Sequence, residues 1–313
     1  MRVLLVRLDG IGDAAVCVPL IAALRESGHD VGIASTTRNA GLFLPGVLIA
    51  EHVLERIAWP AHGSTPDSAV RAVAEIAAMQ YDVALIASEE PEAFGLAAPA
   101  RERVGFTTGW SRPFKTLWVR GRTTRTVSRS QRIGGEDAHE VEIIYRLGAG
   151  LVGRNEPPAD VAQLAPLLVA ASSRTRSGIL LQAGPKWGAS GVAGDALRAI
   201  VERLEPRGLR VVASPVDAAA AGAALGITPE TFADVRSWVT AIDAAAAVVT
   251  VDTGAAHVAG MLGVPIVDVF PDAQFDAQVR RWRPWASAYR ALRASELRGG
   301  AGAELIESIL DGS

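Results

Sequence analysis

Apolar strand-like runs alternate with segments of helical period twice along this chain, and few folds accommodate that pattern. In the first half, Arg2 to Leu8, Val31 to Ser35 and Asp82 to Ala87 read as strands, with helices over Asp13 to Glu26 and Ser68 to Met79. Arg103 to Phe106 reads as a further strand, and Glu140 to Leu151 as a closing helix. A stretch without periodicity follows, from the two prolines at 157 and 158 to the polar run Ser172 to Gly178. The rhythm then restarts, with strands at Ile179 to Leu181, Leu209 to Val212, Ala247 to Val251 and Pro265 to Phe270. Helices are expected over Asp195 to Leu204, Ala218 to Ala224 and Phe232 to Ala245. Strand–helix–strand alternation predicts a parallel sheet covered by helices in each half. The expected class is α/β, with domains at 1–155 and 177–313 joined by a linker of about 156–176 and a ligand cleft where the carboxyl ends of the two sheets face each other.

Composition narrows what such a chain does. At 313 residues it can hold two ordinary cores. Hydrophobic residues make up 49% without a run long enough to span a bilayer, so a soluble globular protein is expected. The start, Met1 to Val6, enters a strand directly and is read as carrying no secretory signal. One cysteine, Cys17, excludes an intramolecular disulfide, suits a reducing cytoplasm and reads as buried packing. A net charge of −3 argues against a general nucleic-acid binder.

Two strand ends carry loaded turns. Ala247 to Val251 stops at Asp252-Thr253-Gly254, and a helix restarts through Ala255, Ala256 and His257. A helix opening there points unpaired N–H groups at one spot, which suits an anion, although an isolated Asp-Thr-Gly is equally an ordinary capped turn. The first strand ends in Asp9-Gly10-Ile11-Gly12-Asp13. The spacing Gly10-x-Gly12-x-x-Ala15 matches a dinucleotide fingerprint. Carboxylates at Asp9 and Asp13 would oppose a pyrophosphate, and the second strand ends in Ser35-Thr36-Thr37 without an acid for a ribose, so a nicotinamide enzyme is disfavoured. Asp13 is then either an N-cap, worth about 1 kcal/mol, or a general base that takes a proton from a hydroxyl.

Arginine is the default cation, the only lysines being Lys115 and Lys186. Lys186 follows a strand in Gln182-Ala183-Gly184-Pro185-Lys186-Trp187, where an ammonium can pair with a diphosphate or lie solvated in a loop. From Arg101 to Arg132 cations accumulate against the single acid Glu102, with Trp110 and Trp118 among them. That segment reads either as a surface for an anionic ligand or as a solubilising face.

Several motifs occur together and in order. They are Leu8-Asp9-Gly10-Ile11-Gly12-Asp13, Pro19 to Leu24, Arg103-Val104-Gly105-Phe106, His139-Glu140-Val141-Glu142, Lys186-Trp187, Asp252-Thr253-Gly254-x-x-His257-x-Ala259, Gly263-Val264-Pro265 and Trp282-x-Pro284. In this they resemble the heptosyltransferases of glycosyltransferase family 9, over nearly the whole chain. The resemblance implies a GT-B fold: two Rossmann-like domains, acceptor-binding then donor-binding, facing each other across a cleft, with the last helix crossing back to the N-terminal domain. It implies inverting, metal-independent transfer of a sugar, heptose from ADP-heptose, with no cofactor and no metal site. Asp13 would be the base, with Gly12 beside it on the acceptor side. Lys186 would contact the donor phosphates, Asp252 would hold the sugar, and Thr253 with Gly254 would cradle the diphosphate near His257. Asp217 would either reach the donor ribose or cap a helix, and Thr231 to Asp234 would border the base. Gln182, Gly184-Pro185 and Phe270-Pro271 depart from the family's usual residues.

The family's layout puts the basic segment on the acceptor side. Arg112, Arg120 and Arg122 are therefore expected to meet an anionic glycan or lipid, with a peripheral contact at the inner membrane surface and no nucleic acid. Other classes compatible with the sequence are a nucleotide-sugar epimerase or hydrolase of the same fold and a non-catalytic nucleotide-sugar-binding module.

Overall fold

The computed structural model describes residues 1–56, 63–129, 132–133, 136–170, 175–298 and 300–311. Ser172, Ser173 and Arg174 of the expected linker lie outside them. The chain divides into two compact units, Met1–Pro158 and Ala159–Ser313.

The first unit runs β1 (Arg2–Val6), α1 (Ile11–Ala15), α2 (Val18–Glu26), β2 (Asp30–Thr36), β3 (Ala50–Leu54), α3 (Pro66–Met79), β4 (Val83–Ile86), α4 (Pro91–Ala97), β5 (Glu102–Thr107), α5 (Pro113–Arg120) and β6 (Arg125–Ser128). A small hairpin, β7 (Arg132–Ile133) with β8 (Glu136–Asp137), precedes α6 (Glu140–Tyr145) and α7 (Ala149–Val152). Its six-stranded sheet has the order β3-β2-β1-β4-β5-β6, all parallel. Val3 to Val6 of β1 are fully buried, as a central strand covered on both faces requires. The helix expected over Asp13 to Glu26 is two helices. Cys17 N–H turns back to the Ala14 carbonyl, and Pro19, which has no N–H to donate, sits in the first turn of α2. The helix expected over Glu140 to Leu151 likewise divides at Gly148, where a Cβ would fall 2.6 Å from Leu20 Cδ1.

The second unit runs α8 (Val161–Leu164), β9 (Ile179–Gln182), α9 (Lys186–Ala189), α10 (Gly194–Leu204), β10 (Leu209–Val212), α11 (Ala218–Leu225), α12 (Val235–Ala244), β11 (Ala247–Val251), α13 (Gly254–Leu262), β12 (Ile266–Phe270), α14 (Phe275–Trp282), β13 (Tyr289–Arg293) and α15 (Gly300–Asp311). Its sheet has the order β10-β9-β11-β12-β13, again all parallel. Every residue of α13 from Ala255 to Leu262 is buried, which explains its small and aliphatic composition. Gly263 ends it with φ of +69°, and a Cβ there would lie 2.9 Å from the Val161 methyls of α8.

Residues just after Pro158, expected as linker, belong to this unit, with Leu164, Leu167 and Leu168 buried. The last helix, which the resemblance has crossing back to the first domain, packs on α10 of its own unit. Ala303 and Ile306 join that core, and Arg203 meets Glu307 at 2.6 Å. Among the described residues no helix is long and apolar enough to cross a membrane.

Candidate functional site

In each sheet the chain leaves one strand to build outward on one side, then returns to build on the other. Parallel sheets of this kind open a crevice at the carboxyl ends of the two strands where the direction reverses. In the first unit these strands are β1 and β4; in the second they are β9 and β11. Both loaded turns stand at these two places.

At the β1–β4 position, Arg7 follows the strand and is buried. Its Nη1 donates to the Ala87 carbonyl at 2.6 Å, its Nη2 pairs with the Asp13 carboxylate, and its Nε lies 3.2 Å from Asp9 Oδ2. Ser88, beyond β4, donates from Oγ to Asp9 at 2.7 Å and accepts the Leu8 N–H at 2.7 Å. Burial alone would lower the Arg7 guanidinium, but the Cys17 thiol and the carboxylates of Asp13, Asp9 and Glu140 raise it, so its charge is fixed. Asp13 Oδ2 also accepts the Gly10 N–H at 3.3 Å. Asp13 thus caps α1 and at the same time holds a half-exposed carboxylate on a rigid cation. Gly12 lies in the same turn. Cys17 is buried, and burial pushes its thiol up to about 12, which agrees with packing rather than reactivity.

At the β9–β11 position, the structure brings together Lys186, Asp252, Thr253, Gly254 and His257. Lys186 Nζ donates to the Asp252 carbonyl and lies 3.7 Å from its Oδ2. His257 Nε2, one turn into α13, is 3.6 Å from Asp252 Oδ1. Burial would push the Asp252 carboxyl up; the adjacent His257 imidazole and the Lys186 ammonium more than reverse this and hold it below the usual range. Thr253 caps α13, accepting the Ala255 N–H at 3.3 Å, and its hydroxyl is 2.9 Å from that of Thr250. Trp282 of α14 meets the His257 ring edge to face at 5.8 Å. Gly260, further along α13, lets the chain at Pro284 and Trp285 approach, since a Cβ would lie 2.9 Å from the Trp285 nitrogen. The Trp282-x-Pro284 motif is thus the wall behind this helix.

Several contributors were not expected from the sequence. Gln182 fixes the Lys186 turn, taking the Trp187 indole N–H on its carbonyl at 2.8 Å and the Trp238 indole N–H on its side chain at 2.9 Å. Arg7, a cation ending a buried strand, was a readable signal. So was Asp268, the one acid within β12. It is fully buried, neither of its oxygens has a hydrogen-bond partner among the described residues, and burial together with the nearby Asp252 charge pushes its carboxyl well above the usual range.

Asp217 begins α11 beyond β10, on the other side of β9 from β11. Its carboxylate accepts from Ser214 Oγ at 2.7 Å and makes no side-chain cap. Asp234, in the segment expected to border a base, caps α12 through the Ser237 N–H at 2.7 Å. His139 and Glu142 form a reciprocal cap at the start of α6, and Glu140 pairs with Arg129 at 2.8 Å, so that motif acts locally as structure.

The basic segment resolves into two groups. Arg101, Lys115, Arg125 and Arg129 pair with Asp82, Glu89, Glu102 and Glu140 respectively, and Arg103 is spent on backbone carbonyls. The Arg132 side chain lies outside the described residues. Arg112, Arg120 and Arg122 are exposed and make no ion pair within 4 Å among the described residues, although the Arg112 charge acts on Glu89, and Arg122 lies over the Trp118 ring at 4.0 Å.

Residues 217–300 match the family model for glycosyltransferase family 9 (heptosyltransferase). No curated protein matches the chain. Among solved structures, E. coli heptosyltransferase WaaC with ADP aligns at TM-score 0.73 and 16% identity, covering 100% of this chain and 99% of that one. The glycosyl transferase family 9 protein from Veillonella parvula DSM 2008 aligns at 0.69 and 14%, covering 100% and 97%. E. coli ADP-heptose lps heptosyltransferase II aligns at 0.67 and 15%, covering 100% and 99%. At these identities the likeness is one of fold, that of the GT-B glycosyltransferases, two Rossmann-like α/β units in one chain.

Proposed function

We propose that this chain, whose residues 217–300 are a glycosyltransferase family 9 domain, transfers a sugar from a nucleoside diphosphate donor to an acceptor hydroxyl with inversion. The observation that carries the reading is the meeting of Lys186, Asp252, His257 and the start of α13 at the β9–β11 reversal. As the bond between the anomeric carbon and the diphosphate breaks, negative charge grows on the leaving phosphate. The N–H groups of Gly254 and its neighbours, with the Lys186 ammonium, oppose that charge without reorganising. Asp252, kept ionised, accepts hydrogen bonds from the sugar hydroxyls, and His257 and Lys186 keep it aimed.

Asp13 takes the proton of the attacking hydroxyl as the new glycosidic bond forms, so the proton ends on its carboxylate and the electron pair on the diphosphate. Arg7 sets the direction of that carboxylate. ADP-heptose is the donor we infer, because E. coli WaaC has been solved with ADP and with ADP-2-deoxy-2-fluoro heptose. Arg112, Arg120 and Arg122 favour an anionic acceptor glycan or lipid, and Asp217 is assigned to the donor ribose. No metal and no cofactor enter the scheme, and a cytoplasmic site of action fits a nucleotide-activated substrate.

Incubation with ADP-heptose, with and without phosphorylated acceptor glycans, while free ADP is followed, tests this. ADP release that depends on acceptor supports transfer. Release without acceptor indicates hydrolysis, and ADP binding without any turnover indicates a binding module; either would overturn the proposal.

A further inference from the structure

Asp268, in the middle of β12, is fully buried, and neither of its oxygens has a hydrogen-bond partner among the described residues. A strand covered on both faces ordinarily carries apolar residues there, and an acid left unpaired in such a place is costly. Alternation along the strands says which way it points. Val249, Val251, Val267 and Val269 enter the core that α10 and α15 share. Thr250 and Asp268, direct partners in the β11–β12 register, therefore face the other side, which α13 covers. On that side the Thr250 hydroxyl is 2.9 Å from the hydroxyl of Thr253, the cap of α13. Asp268 thus stands beside the residue that braces the helix start, and Asp252 is two residues beyond that brace.

The titratable and charged groups toward it are Asp252 beyond β11, Lys186 on α9, His257 on α13, Tyr289 and Arg293 on β13, and Asp276 and Arg281 on α14. Arg293 is taken by Asp276 at 3.7 Å, and Arg281 lies over the Trp282 ring at 5.0 Å. Burial first, and the Asp252 charge second, oppose ionisation of Asp268; Lys186 works the other way, but its ammonium is shared with Asp252. A diphosphate at the start of α13 brings further negative charge. Asp252, the phosphates and an ionised Asp268 would then all claim one ammonium. Binding of the diphosphate and ionisation of Asp268 therefore oppose each other, and linkage makes the opposition reciprocal.

We propose that Asp268 is a positioning residue that ties donor binding to a proton: the start of α13 holds a nucleoside diphosphate tightly while Asp268 keeps its proton and loosens its hold as that proton leaves. Where Asp268 is ionised in the free protein, each diphosphate bound draws one proton from solvent onto its carboxylate. This inference rests on the reading of the α13 start as the diphosphate site.

Titration calorimetry of the full chain with ADP, from pH 6 to pH 9, tests it on wild type and Asp268→Asn. Across that range the wild type is expected to lose affinity about fivefold or more beyond any loss in the variant, with one proton setting a limit of about tenfold per pH unit. Every other titrating group, the ADP phosphate included, is common to both proteins, so a merely structural role would offset the two profiles without changing their slopes. Should the asparagine variant melt early, Asp268→Thr takes its place, giving β12 the residue that β11 carries in register. Parallel profiles, or a steeper loss in the variant, would overturn the inference while leaving the donor site where it is. ADP that binds neither protein at any pH would remove the donor site itself, and this inference with it.

Discussion

The Lys186 ammonium lies 3.7 Å from the Asp252 carboxylate, and the two residues leave adjacent strands from which the chain departs in opposite directions. In the proposed reaction a diphosphate at the start of α13 would compete for that ammonium, replacing an internal ion pair with an external one. Asp252 would then be free to take sugar hydroxyls, with His257 3.6 Å from its other oxygen.

Lys186→Ala is therefore expected to weaken ADP binding roughly tenfold to a hundredfold, the range of a hydrogen bond to a charged group. Titration calorimetry reads this directly. Unchanged affinity would move the phosphate site off this turn.

Asp13→Asn should keep donor affinity and lose turnover by about two orders of magnitude or more, as removal of a general base does. An asparagine oxygen can keep the Gly10 cap, but the variant removes a charge from the buried Arg7 guanidinium, so the melting temperature should fall while the fold is retained through the remaining Asp9 pair. Normal turnover in the variant would leave Asp13 as a cap alone.

Asp252 and Asp268 should pull stability in opposite directions with pH. The depressed Asp252 contributes stability that is present above its ordinary value of 3.8 and lost as pH falls through its folded-state value. The raised Asp268 contributes stability that is full below 3.8 and lost as pH rises toward its folded-state value, since the unfolded chain ionises first. Asp268→Asn should then raise the melting temperature at pH 7 to 8 and leave it little altered near pH 4. An equal shift at both pH values would mean that packing, not ionisation, decides that position.

Cys17 should resist thiol reagents at neutral pH in the native state and react fully in denaturant, because burial pushes its thiol up to about 12. Rapid native labelling followed by colourimetry would contradict this.

The legible parts of the fold were those fixed by local chemistry. Ala247 to Val251 is apolar on both faces and ends at Asp252-Thr253-Gly254, so strand, turn and helix all follow from neighbours in sequence. The strands of the two large sheets that escaped, β3, β6 and β13, are all edges. An edge strand needs little apolar surface, and Arg125-Thr126-Val127-Ser128 has no alternation to read. Pro19 and Gly148 divide helices that periodicity alone joins. At the candidate site, Asp13, Lys186 and Asp252 could be singled out because their turns are distinctive. Ser88 could not, because its partner Asp9 reaches it only after β4 has paired with β1. The basic segment could be seen in sequence, but which of its arginines are neutralised depends on Glu89 and Glu140, far along the chain.

Val3 pairs with Val31 on one side and with Val83 on the other, and every pairing within the two large sheets is parallel. No hairpin of adjacent strands can start either sheet, so each pairing must wait for a crossover to be made first. Joining β1 to β4 closes a loop roughly three times longer than joining β1 to β2, costing about 1 kcal/mol more in chain entropy. That pairing also sets Ser88 against Asp9 and Ala87 against Arg7. The carboxylate turn of the first unit is therefore assembled by a slow, long-range step, and a nascent chain has neither partner until translation has passed Ser88.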